Sequence, residues 1–485
     1  MTGARPVWVW VGAGVLVLVA VVAFVGWYRL LREETLHFSS PEEMYKYGSI
    51  GVENNQGIPY RIWEVLPDLF PEYLPRPGAY AAFGLLQEPG HDTPVGVPKK
   101  VIGFERVGIN CALCHTGSFR TDPQQQQPTI VPTAPATRLD IQSYFFFFFK
   151  AAADPRFTPD YLLPAMRRVA PLDPLDEALY RFLIIPATRD GFLKQRDGFH
   201  WTDSRPPWGV GRIDPFNPVK FNQLKLDPAA DVTIGNSDME PLWNLAQAKG
   251  FGLHWDGLDD SVTEVALTGA LGDGASKDSL PVQDVLGMID WASNVKPPKY
   301  PFQLDLELAG RGQPIYEQKC ASCHAFGGQR TGTVIPRAEI KTDVNRLEMW
   351  SQEAASRYND YAADRAYKFN RFVKQDGYVS VPLDGIWLRA PYLHNGSVPT
   401  LEDLLEPAAN RPGVFWRGYD VYDRDRTGFV TSGPDAERSG WRYDTSVVGN
   451  GNGGHEGDAY GTTLSADDKR ALVEYMKTLL SLIHI

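Results

Sequence analysis

Cysteine is scarce in this chain, with four residues in 485, too few to staple a protein of this size with disulfides. No run of lysine and arginine occurs and the net charge is -11, so a phosphate backbone finds no basic surface to bind. Nucleic acid is therefore excluded as an expected partner. Methionine and histidine are also sparse, at 7 and 9 residues, so each can be weighed singly as a metal ligand. What remains is the composition of an ordinary globular protein, 43% hydrophobic and 22% charged. The length exceeds a single hydrophobic core and predicts two or three domains.

Long apolar runs are missing as well, with one exception. Residues 7–28, VWVWVGAGVLVLVAVVAFVGWY, carry no charge. At about 1.5 Å per residue they make roughly 33 Å of helix, enough for a bilayer core of about 30 Å. Trp8, Trp10, Trp27 and Tyr28 cluster at its ends, where amphipathic rings favour the headgroup level. A cleaved signal peptide is the competing reading, but the run is longer than a usual signal core and no A-x-A-like site closes it. The expectation is an uncleaved single-pass membrane anchor in residues 1–34. Arg5 precedes the span and Arg29 and Arg32 follow it, so charge leaves the orientation open.

All four cysteines fall in two pentapeptides, CALCH at 111–115 and CASCH at 320–324. A redox CxxC pair does not need the histidine, and a four-cysteine zinc site usually brings its two halves closer in sequence. A histidine following both pairs by chance is improbable when histidine is this rare. A covalently attached haem c does need the pattern: two cysteine sulfurs bond the porphyrin vinyl groups, and the next residue ligates the iron. The reading is two covalently attached haem c groups. Cys111, Cys114, Cys320 and Cys323 hold the vinyls, and His115 and His324 are the proximal iron ligands. Such attachment takes place outside the cytoplasm, which predicts a bacterial inner-membrane protein with the bulk of its chain in the periplasm.

The second motif ends a helical stretch, RGQPIYEQKCASCH (311–324), with Gly312 and Tyr316 on one face. LSADDKRALVEYMKTLL (464–480) opens with a capping-box-like Ser465 and Asp468 and carries an apolar stripe through Leu472, Val473, Met476, Leu479 and Leu480. First and last helices that cross beside a haem build a cytochrome c domain, here 303–485, and a small Gly312 permits a close crossing. NVKPPKYPF (294–302) reads as a stiff Pro-rich linker, and 35–293 as an N-terminal haem domain. YFFFFFK (144–150) reads as a core helix, and PQQQQP (123–128) as a polar loop.

The paired CxxCH motifs, VNRL (344–347) and LRAPYLHNGSVPTLEDLL (388–405) resemble the di-haem cytochrome c peroxidase superfamily. RVGINCALCHTG (106–117), PLWNLAQAKGFGLHWDG (241–257) and GNGGHEGDAYGTTLSADDKRAL (451–472) are most similar to one branch, the di-haem rubber-oxygenase-like c-type cytochromes. The resemblance implies a mainly α fold of two cytochrome c-like lobes with long loops. It also implies that Trp243, in PLWN, stands between the haems, where an indole can pass an electron or shape a pocket.

Among candidates for a second ligand at the His324 haem, Met476 and Met349 read as core and His484 as a frayed end. His455, in a Gly-rich loop, is the choice, because the resembling branch completes a bis-His haem from such a context. His394, in PYLHNG, is the runner-up. At the His115 haem the labile distal histidine of the peroxidases is replaced by Val131, leaving His200 and His254 as the nearest candidates. The expectation is an open first iron that meets O2 or hydrogen peroxide, fed by a low-spin second haem. An electron-donor or acceptor cytochrome is the expected partner. The alternative is a pure electron carrier with both irons closed.

Overall fold

The computed structural model describes residues 7–480, and His484 lies outside them. The apolar run forms one helix, Val7–Leu30, whose most apolar stretch is nowhere buried against the rest of the chain. Its length and composition are sufficient to cross a membrane. The exit from this helix is stitched to the body. Arg29 pairs with Asp173 and Asp176 at 2.8 and 2.7 Å, and Glu34 donates its amide to the Val101 carbonyl at 3.1 Å.

The chain as a whole is not mainly α. Helix accounts for 44% of it, and among the described residues thirteen short strands pair into six antiparallel sheets of two or three strands. The expectation of a mainly α fold is corrected to a mixed one. Short hairpins account for some of the strands. One of these pairs Thr116–Phe119 with Thr129–Pro132, directly after the first CxxCH and around the polar 123–128 loop.

Two hydrophobic clusters organise the interior, and neither respects the 294–302 segment. The larger is built on the Phe-rich helix Ile141–Ala153 and also takes in Met349, Trp350, Tyr358 and Phe372. The second gathers Tyr316, Trp387, Leu472 and Met476 with Phe119, Val131 and Trp243 from the first half of the chain. Tyr300 of the Pro-rich segment packs edge-on to Trp387 and Tyr422. Both Met349 and Met476 are core residues, as their sequence context implied.

The second motif is framed by two crossed helices, the entry helix Leu306–Lys319 and the closing helix Ala466–Met476. Ser465 caps the latter by accepting from the Asp468 amide at 3.2 Å. Gly312 lies at the crossing: a Cβ there would stand 1.9 Å from the Ala471 carbonyl oxygen and 2.5 Å from its carbon. Backbone cannot yield as a side chain can, so Gly312→Val is expected to destabilise by about 1–3 kcal/mol, the usual range for overpacking. Gly310, in the same helix, has nothing within 4 Å of such a Cβ. Gly310→Ala is expected to be neutral or stabilising by about 0.5–1 kcal/mol through helix propensity. Thermal unfolding of the two variants checks the crossing; equal midpoints for both would contradict it.

Candidate functional site

The first CxxCH is a single helical turn, Cys111–Cys114, and Asn110 starts it. The Asn110 side chain accepts from the Ala112 amide at 2.9 Å and donates to the Tyr45 and Gly48 carbonyls. The second motif continues from the entry helix, the Cys320 amide donating to the Tyr316 carbonyl at 2.8 Å. Burial pushes the Cys111 and Cys320 thiols up to about 12. Among the described residues no group of three or more His, Cys, Asp or Glu could hold a bare metal ion, so the motifs do not converge on a zinc site.

Both motif histidines are fixed in the same way. Nδ1–H of His115 donates to the Glu240 carbonyl at 2.6 Å, and Nδ1–H of His324 to the Val381 carbonyl at 2.7 Å. A carbonyl only accepts, so each neutral ring keeps its proton on Nδ1 and its lone pair on Nε2. Burial lowers the pKa of both rings and keeps them neutral. A metal-ligating imidazole requires this arrangement.

The two sites differ on the far side. The His455 ring faces that of His324 with centres 6.3 Å apart and planes at 51°. That is the separation left when two imidazole nitrogens hold one ion from opposite sides at roughly 2 Å each. Burial, reinforced by His324, pushes the His455 pKa down to about 3, and its Nδ1 is buried without a hydrogen-bond partner among the described residues. The Gly-rich loop permits a close backbone approach. Gly454, at φ 75°, lets the chain pass so close to the next segment that a Cβ would stand 2.3 Å from the Lys341 carbonyl carbon.

His115 opens instead on a cavity of about 730 Å³, well within the roughly 300–1,000 Å³ of small-molecule sites. Cys111, Cys114, Phe148, Phe216, Trp243 and His254 are on its wall. Arg346 and Arg389 also reach it, each with an Nε buried and unpartnered among the described residues. Arg346 pairs with Asp256 and Arg389 with Asp384, so the fit rests on the aromatic lining and the adjoining CxxCH, which suit a flat apolar macrocycle such as a haem.

Trp243 is buried and donates from Nε1 to the Asp384 carbonyl at 3.2 Å, with the Arg389 guanidinium 5.5 Å from its ring centre. His394 is engaged elsewhere: Tyr378 stacks on it at 4.1 Å and the two share a 3.0 Å hydrogen bond. His200 is exposed and bonds the Asp197 carbonyl. Trp387 is core, whereas Trp255 is on the cavity wall and donates to the Asp238 carbonyl at 2.8 Å. The Phe-rich helix has two faces in use. Phe147 fills the core, and Tyr144, Phe145, Phe148 and Phe149 also wall the cavity.

One functional feature escaped the sequence reading. LHWDGLDDS (253–261) and YLHNGSVPT (392–400) fold as the same turn. Leu253 bridges Asp259 as Tyr392 bridges Val398. Left-handed residues recur at His254 and Leu393, and at Gly257 and Gly396. Ser261 and Thr400 then cap the following helices. The signal was present in the spacing of Gly257–Ser261 and Gly396–Thr400, but the two segments share too few identical residues to announce it.

A family model described as RoxA-like, cytochrome c-like matches residues 377–417, a segment that includes Trp387 and His394 and neither cysteine pair. This part of the chain is cytochrome c-like, which supports covalently held haem c. Two uncharacterized proteins of Sinorhizobium fredii are similar: y4iJ, 30% identical over 39% of this chain, and y4iM, 29% identical over 52%. The chain spans 42% and 66% of the lengths of these curated relatives.

Asp259, which closes the His254 turn, accepts from the Ser261 amide at 2.6 Å and is 1% exposed. Burial, with Glu264 and Asp260 close by, pushes its carboxyl up to about 7. Unfolded, it releases its proton near pH ~4. Between those values the folded chain binds more protons, so the stability this group contributes falls as pH rises towards 7. Asp259→Asn keeps the acceptor and removes the titration. Its melting temperature is expected to gain on the parent's between about pH 4 and 7; a constant difference across that range would contradict the assignment.

Proposed function

We propose that the chain is a membrane-anchored di-haem c-type cytochrome with its bulk in the bacterial periplasm, acting as an oxidoreductase on O2 or hydrogen peroxide. The observation that carries this reading is the contrast between the two CxxCH histidines. His324 faces His455 at 6.3 Å, whereas His115 faces a cavity of about 730 Å³. A haem held at these motifs supplies one-electron transfer and, where an axial position is open, reaction with O2 or peroxide.

The protein's own residues divide the labour. Cys320 and Cys323 would hold one group covalently, with His324 and His455 as its ligands, which suits a relay. Cys111, Cys114 and His115 would hold the other, and Phe148 and Phe216 give its cavity an apolar wall that disfavours water. Two hydrogen-bonded segments link the two sites. The Glu240 carbonyl holds His115, and three residues on, Trp243 donates to the Asp384 carbonyl. Three residues back from there, the Val381 carbonyl holds His324. These bonds support a role for Trp243 in coupling the sites, with an electron-donor or acceptor cytochrome as the external partner. A second reading, a pure electron carrier, draws on His254, which shares the cavity with His115.

The test is haem stoichiometry and spin state of the full-length chain from a host that attaches haem c. Two haems per chain are expected by pyridine haemochrome, one low-spin and one high-spin by electron paramagnetic resonance. His455→Ala is expected to abolish the low-spin signal. One haem per chain, or two low-spin signals, would overturn the proposal.

A further inference from the structure

Five histidines line the interior, and three have defined partners. His115 and His324 donate to carbonyls, and His394 bonds Tyr378. The other two, His254 and His455, each have one ring nitrogen buried without a partner among the described residues. They share a second property: both sit on left-handed backbone, at φ 60° and 48°. A residue with a Cβ rarely adopts that conformation, and a buried polar atom is rarely left unpaired. His455 has its explanation, since it faces His324. His254 has none among the described residues.

The paired turns show what is unusual about it. The residue matching His254 in the second turn is Leu393, an apolar side chain packed against the second core. In the first turn the same backbone position instead sends an imidazole into the cavity that holds His115, Cys111 and Cys114. The Phe216 ring meets it edge-on at 5.2 Å.

We propose that His254 occupies the face of the first haem site opposite His115 and hydrogen-bonds the small oxygen molecule, O2 or hydrogen peroxide, that reacts there. The proposal rests on the open-site reading above and assigns the group that orients the substrate. A neutral imidazole suits the task, since a half-turn of the ring exchanges donor and acceptor nitrogens. The apolar walls, Phe148 and Phe216 among them, remove competing water and so strengthen one well-placed hydrogen bond.

Cyanide titration of the oxidised full-length chain in detergent, followed in the Soret band, tests this. His254→Leu is expected to weaken cyanide binding about tenfold or more, the effect of one lost hydrogen bond to a charged group. His254→Gln is expected to recover part of it, and the spin state before addition should match the parent's in both. Leu and parent affinities that coincide would overturn the proposal. So would a parent that is low-spin at both haems, with His254→Leu turning one high-spin, since His254 would then be an iron ligand. If neither parent nor variants take up cyanide, the open-site reading itself fails. Mixing the reduced chain with O2 and with peroxide separates the substrates: the reaction that slows in His254→Leu is the one the residue serves, and two unchanged rates would sink the assignment.

Discussion

An imidazole presents a lone pair at one nitrogen only while its proton is kept on the other, and a fixed carbonyl is the simplest means of keeping it there. In this chain the Glu240 and Val381 carbonyls do so for His115 and His324. Much of the surrounding architecture keeps those acceptors in place. Glu240 and Trp243 belong to one segment, Val381 and Asp384 to another, and the bond from the Trp243 indole to the Asp384 carbonyl ties the two together. A shift of either strap would release a histidine and separate the two sites at once.

The same anchoring is used twice with different surroundings, and the difference lies in chain economy. At the second site a helix runs into CASCH and a Gly-rich loop returns from far along the chain to place His455 opposite. At the first site a strand and an asparagine cap lead into CALCH. The turn that carries His254 lines the cavity His115 opens on, with aromatic side chains of the Phe-rich helix and the Phe216 segment. Two nearly identical pentapeptides thereby acquire different environments.

Legibility in the sequence followed the range of the interaction. Local chemistry could be read directly: the two CxxCH motifs, the apolar span, the Ser465 cap, and Gly312 at a helix crossing. His455 came from a resemblance and not from spacing, yet the fold places its ring against His324. The small sheets were missed because their strands of two to four residues are too short to show a period of two. The 294–302 segment reads as a boundary, but both hydrophobic clusters draw residues from either side of it, and nothing in a Pro-rich stretch reveals what packs across it. His254 was only one of two candidates, since its role depends on a turn whose twin lies well over a hundred residues away.

The most direct measurement is the visible spectrum of the dithionite-reduced full-length chain before and after carbon monoxide. With His324 closed by His455 and His115 facing the cavity, about half of the haem absorbance should shift, consistent with one open position per chain. No shift would mean that both irons are closed and would contradict the asymmetry on which the account stands. A shift of all the haem would mean that His455 does not hold its place opposite His324.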